Sequence, residues 1–249
     1  MGLSLQKLIN EYTPIDFSEL NNSKLLNRID TKFICHISLL PQILKPTIQH
    51  YYICQTNKIR NCRYQSLYFD TPQLKTYFDH HKQKRLRYKI RFRKYIETGD
   101  SFLEVKLKEN FARTNKKRTQ FELCNKLKTK HFEFIKKHIN YNFIELNPIL
   151  WTLFNRITLV GKNIPERITI DTDICFKNKN RILTVPNMVV IEVKRSKGNV
   201  KSFFIENLRN NNLKPFGISK YVLGNILLTP KIKHNLFKHK VRTINKNFI

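Results

Sequence analysis

The stretch RLRYKIRFRKY, residues 85–95, puts a cation at each of five successive odd positions, 85, 87, 89, 91 and 93, with Leu86, Tyr88, Ile90 and Phe92 between them. In a β-strand, alternate side chains point to opposite faces, so this segment folds with one wholly cationic face and one wholly apolar face. The apolar face requires a packed layer of protein. The cationic face requires water or a strongly negative partner.

Other segments repeat the pattern. Arg28, Asp30 and Lys32 share a parity, as do Glu104, Lys106 and Lys108, then Arg118, Gln120 and Glu122, then Arg167, Thr169 and Asp171, then Glu192 and Lys194. The opposite parity is apolar at Leu103, Val105 and Leu107, at Ile168 and Ile170, and at Ile191 and Val193. Ordinary half-solvated antiparallel strands also alternate, but these polar faces are almost all charged and short of Ser, Thr and Gln. The alternation therefore predicts an α+β fold built on a closed or nearly closed barrel turned inside out, with charged faces lining a lumen and helices covering the apolar faces. Several like charges cannot be desolvated together without a counter-ion, so such a lumen implies a polyanionic ligand. Arginine offers a planar fork matched to phosphate oxygens and lysine a mobile point charge, which suits a row of phosphates. The 47 Lys+Arg against 18 Asp+Glu, a net charge of +29, agree with an anionic partner.

Local signals give the order of elements. Residues 3–11 read as a helix, 27–37 as a strand, and Ser38 as the cap of a helix running to His50. Strands are expected at 51–55 and 63–70, and a helix from Asp70-Thr71-Pro72 to Lys82. A hairpin loop at 97–100 follows, then strands at 102–108 and 117–123, helices at 125–139 and 147–156, and strands at 166–172, 181–185 and 189–195. Helices at 200–210 and 219–228 complete a single domain over residues 1–230, and 231–249 reads as a basic, poorly ordered tail.

Five cysteines without paired short spacings argue for free thiols and against a zinc site or disulfide framework. His80-His81 beside Lys82 reads as a solvated helix face. No apolar run approaches the ~20 residues of a membrane span, and no signal-peptide core is visible, so a cytoplasmic protein is expected. Met1-Gly2 is not followed by the Ser or Thr that myristoylation requires, since Gln6 stands there.

The segments RIDTKF (28–33), LYFDT (67–71), RFRKY (91–95), FLEVK (102–106), FNR (154–156), ERITID (166–171), IEVK (191–194) and SKY (219–221) carry a resemblance. Together they resemble, in order and over nearly the whole chain, the polyphosphate polymerase domain of the vacuolar transporter chaperone (VTC) family, a branch of the CYTH-like triphosphate tunnel metalloenzymes. The resemblance implies an antiparallel eight-stranded β-barrel with helices packed on the outside. It implies ATP and inorganic polyphosphate or triphosphate as substrates, and Mn²⁺ or Mg²⁺ as cofactor. Carried over residue by residue, it makes Arg91, Arg93, Lys106 and Lys220 catalytic, and Lys32, Arg28, Arg156, Arg167, Lys194 and Arg118 substrate-binding. Glu192, with Glu104 as a second acid, becomes the metal ligand. Where the wider superfamily's amino-terminal Glu-x-Glu-x-Lys offers metal-binding acids, this chain has Arg28-Ile-Asp30-Thr-Lys32 instead, which fits the polymerase branch rather than a two-metal triphosphatase.

Arg85, Arg87 and Lys89 are expected beyond the tunnel mouth. Lys116 and Lys117 stay open between a solvated and a ligand role, and Asp171 and Asp173 are set aside as caps. The chain is read as transferring the ATP γ-phosphate to a growing polyphosphate chain. A triphosphate or nucleoside triphosphate hydrolase of the same fold is the alternative, and a non-catalytic nucleic-acid or polyphosphate binder the third reading. Paired luminal acids speak against nucleic acid, because carboxylates repel its backbone. A membrane partner for export stays open.

Overall fold

The computed structural model describes residues 3–17, 19, 28–109, 113–141, 143–197 and 201–249. Strands β1 (14–16), β2 (28–36), β3 (51–55), β4 (61–70), β5 (86–95), β6 (101–109), β7 (113–120), β8 (147–161), β9 (166–177), β10 (182–185) and β11 (188–196) join helices α1 (3–10), α2 (40–44), α3 (75–81), α4 (129–138), α5 (203–210), α6 (220–228) and α7 (238–248). Eight strands form one antiparallel path, β2-β11-β9-β8-β4-β5-β6-β7, with β1, β3 and β10 added at its margins. The sheet is strongly curled. Lys106 on β6 feels the charges of Asp30 and Lys32 on β2 and of Glu192 on β11, although these strands lie toward opposite ends of the path. The α+β class with an eight-stranded antiparallel sheet and outer helices is thus as expected, and the wall has a seam between β2 and β7 rather than a continuous ladder.

The two faces sort as the alternation requires. On the convex face, Phe33, Ile157, Ile168, Ile170, Ile191 and Val193 pack under α1, α2 and α5. Leu67, Phe69, Ile90, Phe92, Leu103 and Val105 pack under α4 on the same side. Each of these side chains contributes about 1.5–3 kcal/mol on burial. The concave face is charged over part of its length and apolar at one end, where Tyr64, Tyr68, Leu150, Phe154, Ile174 and Phe176 meet α6 and α7. A bulge in β9 makes this change of character. Leu153 pairs with Cys175 but Asn155 with Thr172, so β9 carries one residue more than β8 there. Asp173 takes a left-handed backbone, φ 50°, which Asp tolerates better than most residues. Beyond it, Ile174 and Phe176 follow Arg167, Thr169 and Asp171 onto the concave face.

Helix α6 is seated there by two devices. Asp70, fully buried, accepts from the amides of Thr71, Thr76 and Tyr77 at 2.8, 2.8 and 3.0 Å, from the Thr76 hydroxyl at 2.8 Å and from the Tyr221 hydroxyl. Gly224 permits close approach, since a Cβ there would lie 2.6 Å from Phe176 Cδ1 and 2.8 Å from Leu150 Cδ2. Before α6, the chain crosses from the β2 edge, where the Phe216 amide donates to the Lys32 carbonyl at 2.6 Å.

Several local expectations are corrected. Residues 147–156 form the first part of β8, not a helix. As far as Phe154 both faces are largely apolar, because Leu150 and Phe154 pack with α6 on the concave side and Trp151 packs against the cluster under α4 on the convex side, and a two-sided apolar run loses the period of two. The helix expected over 38–50 is split into α2 between two 3₁₀ turns, and His36 rather than Ser38 provides the cap. Asp70 reaches past the first turn, so α3 begins only at Lys75, after a left-handed Leu74. β7 lies at 113–120 instead of 117–123. His80 and His81 are half-buried rather than solvated, with the His81 ring edge-on to Phe237. The basic tail contains a helix, α7, that buries Val241 and Ile244. Met1-Gly2 and the expected element starts at Asn27 and Val200 lie outside the described residues.

Gly224→Ala forces Phe176, Leu150 or the whole of α6 to move. The expected cost is about 1–3 kcal/mol, a fall of several degrees in the thermal midpoint measured by circular dichroism; an unchanged midpoint refutes the close seat of α6.

Candidate functional site

The charged part of the concave face is built by ladder register. Arg91 lies opposite Glu104, Glu192 opposite Lys32, Lys194 opposite Arg167, and Arg156 opposite Asp171. Each of three acids is shared between two cations. Glu104 Oε2 accepts from Arg91 Nε at 2.8 Å and Nη2 at 2.7 Å, and Lys116 Nζ lies 2.5 Å from its Oε1. Glu192 takes Lys32 on one oxygen and Lys194 on the other. Asp171 takes Arg156 Nε on Oδ1 at 2.5 Å and Nη2 on Oδ2 at 2.8 Å, and Lys220 from α6 also reaches Oδ2.

Burial alone raises a carboxyl pKa, yet at Glu104 the charges of Arg91, Arg93 and Lys116 outweigh it and hold the group well below the usual carboxylate range. The same balance holds Asp171 down through Arg156 and Lys220, and Glu192 through Lys194 and Lys32.

Other cations have no such partner. Among the described residues, Arg93, Lys106 and Arg167 form no ion pair with a carboxylate. Arg93 is buried, donates to Ser66 Oγ at 3.2 Å, and lies 5.7 and 5.8 Å from the Tyr64 and Phe154 ring centres. Its pKa is lowered by burial and by Arg91. Burial and neighbouring cations lower Lys106 in the same way. Lys89 donates to Ser219 Oγ at 2.7 Å, and burial and Lys106 push its pKa well down. With Arg93 buried, Lys89 and Arg167 half-buried and Lys106 more exposed, the wall holds more positive charge than its acids balance, an arrangement that favours an anion.

Of the two acids expected to hold a metal, Glu104 has a side chain only 1% exposed, with Oε2 taken by Arg91 and Oε1 ion-paired with Lys116. The Glu192 side chain is 18% exposed and, among the described residues, pairs with Lys32 and Lys194, both on flexible stems. No group of three or more His, Cys, Asp or Glu gathers among the described residues. This donor set fits a hard divalent ion held by one carboxylate, with substrate phosphates and water completing its shell, rather than an all-protein cage.

Sequence comparison matches residues 27–229 to the model of the VTC domain. The chain belongs to the VTC domain family. No curated protein matches it significantly. Solved structures similar in shape include the Hippeastrum adenylyl cyclase candidate HpAC1, described by a dominant triphosphatase activity, at TM-score 0.48, 12% identity, 83% of this chain and 97% of that one. PH1819 from Pyrococcus horikoshii OT3 follows at TM-score 0.44, 12% identity, 82% of this chain and 100% of that one.

Within this VTC domain, Lys32, Arg91, Arg93, Lys106, Arg156, Arg167, Lys194 and Lys220 share the concave face with Glu104 and Glu192. Arg28 and Arg118 stand at exposed positions, Arg28 Nε on Asp30 at 2.9 Å and the Arg118 guanidinium 4.7 Å from the Phe102 ring centre. Lys116, left open by the sequence, joins the wall through Glu104. Sequence reasoning missed two groups here: Lys89 is half-buried on Ser219 rather than beyond the mouth, and Asp171 is a buried hub rather than a cap. The parity of Lys89 and Asp171 was the available signal. No described helix is long and apolar enough to cross a membrane.

Glu104→Gln is expected to destabilise the fold at neutral pH. Because the folded-state pKa is depressed, the carboxylate's contribution is full above its unfolded value near 4 and is lost as the pH falls below that. The stability gap between wild type and variant in urea titrations therefore narrows from pH 7 toward pH 2; a constant gap contradicts the ion-pair account.

Proposed function

We propose that this VTC domain is a polyphosphate polymerase that moves the γ-phosphoryl group of ATP onto the end of a polyphosphate chain and releases ADP. The observation that carries the reading is the set of cations without carboxylate partners, buried Arg93 foremost with Arg167 half-buried and Lys106 more exposed, on a concave face lined by strands from both ends of the sheet. A chain of phosphates supplies the missing negative charge along the whole row, and membership of the VTC family supports a phosphate polymer as the substrate.

Phosphoryl transfer asks for positioning and charge neutralisation rather than a protein nucleophile. In this reading Arg91, Arg93, Lys106 and Lys220 hold the phosphoryl group in flight. Lys32, Arg156, Arg167 and Lys194 grip the flanking phosphates, and Arg28 and Arg118 guide the chain at the rim. A terminal phosphate oxygen of the acceptor attacks the γ-phosphorus, the bond to the β-phosphate bridging oxygen breaks, and ADP leaves with that electron pair. Glu192 is the residue that would hold Mn²⁺ or Mg²⁺, which supplies further neutralisation of phosphate oxygens when bound. In this reading the chain works in the cytoplasm.

The test is to incubate the purified protein with ATP and Mn²⁺, with and without a short primer, and to resolve ADP, free phosphate and long polymer. Polymer rising in step with ADP supports the proposal, and free phosphate without polymer replaces it with hydrolysis. Arg93→Ala and Lys220→Ala are each expected to cut polymer synthesis at least 100-fold while circular dichroism stays native, and near-normal turnover in either refutes its assigned role. Glu192→Gln is expected to raise the metal concentration needed for half-maximal rate.

A further inference from the structure

The three concave-face acids differ in what they join. Glu104 and Glu192 each hold cations from their own or neighbouring strands, whereas Asp171 joins the sheet to α6. Its side chain is 4% exposed, but those of Arg156 and Lys220 keep 16% and 14% of their surface open. Both cations also lie over one ring, Arg156 at 5.0 Å and Lys220 at 4.6 Å from the centre of Phe154. Lysine is a flexible four-carbon stem, and Lys220 opens the first turn of α6, where Ser219 makes no side-chain cap. Without Asp171, the like charges of Arg156 and Lys220 would drive the two apart.

We propose that Asp171 is a positioning residue of the phosphate site, setting Arg156 and Lys220 side by side so that an incoming phosphate meets both already in place. The inference rests on the polymerase reading for its reaction, but its binding part does not. Charge alone gives the opposite sign: an acid beside a phosphate site repels the ligand, and its removal should only help. Pre-organisation says instead that removal helps binding at most and harms the reaction.

The experiment uses the full chain as wild type, D171N, D171E, K220A and the D171N/K220A pair, at a temperature where circular dichroism shows every variant folded. ATP turnover to polymer gives kcat and KM, and calorimetry gives the affinity for tripolyphosphate. D171N is expected to bind tripolyphosphate as well as wild type or better, to keep its KM, and to lose at least ten-fold in kcat, with D171E recovering part of the loss. The effect of D171N on affinity is expected to differ at least five-fold according to whether K220A is also present. A D171N kcat within two-fold of wild type overturns the proposal, as does an equal affinity shift in both backgrounds. A parallel loss of kcat and affinity marks a merely structural role and overturns it too. If the wild type makes no polymer, the polymerase reading falls by itself, and the binding comparison, which needs no turnover, still decides the role of Asp171.

Discussion

Everything in this fold turns on the difficulty of keeping several cations out of water at once. An isolated buried charge is prohibitively costly, and like charges in one cavity compound the cost. The chain meets this with carboxylates shared two cations at a time, at Glu104, Asp171 and Glu192. Those acids neutralise only part of the wall. Arg93 is left with aromatic faces, a serine hydroxyl and the field of Glu104, and the more exposed Lys106 with the field of Glu192 and Asp30. The protein is held together by the acids and made receptive by their shortage.

That balance explains why the helices are not interchangeable. α1, α2, α4 and α5 cover apolar surface, a task that many sequences could perform. α6 must deliver Lys220 to a carboxylate on the opposite side of the sheet from those helices, and its position is over-determined by Asp70, by the absence of a side chain at Gly224 and by the ion pair itself. Asp70 also organises the start of α3, so one buried acid outside the charged wall fixes two helices against β4.

Much of this was legible in the sequence because strand parity is a strict code. Residues 85–93, 102–108, 166–171 and 191–194 assign their own faces, and once assigned they place most of the wall. The code failed where a strand is buried on both sides: Leu150 and Phe154 on one face and Trp151 on the other leave no polar alternation to read. It failed differently at Asp171, whose partner Lys220 lies 49 positions away on a helix. A lone acid at the end of an alternating run resembles a cap until the long-range contact is known. α7 escaped for a composition-based reason, since Val241 and Ile244 are too few to stand out among its cations.

The bulge at Asp173 gives β9 two identities. Up to Asp171 the strand shows charged groups to the cavity, and from Ile174 onward it shows the floor on which α6 rests. A single inserted residue therefore draws the boundary between wet and dry. Because side chains alternate, shifting that boundary by two residues would lengthen or shorten the charged row by one position without altering the strand's pairing partners. The geometry makes the site's depth a countable property, open to variation in whole-residue steps while the surrounding sheet stays as it is.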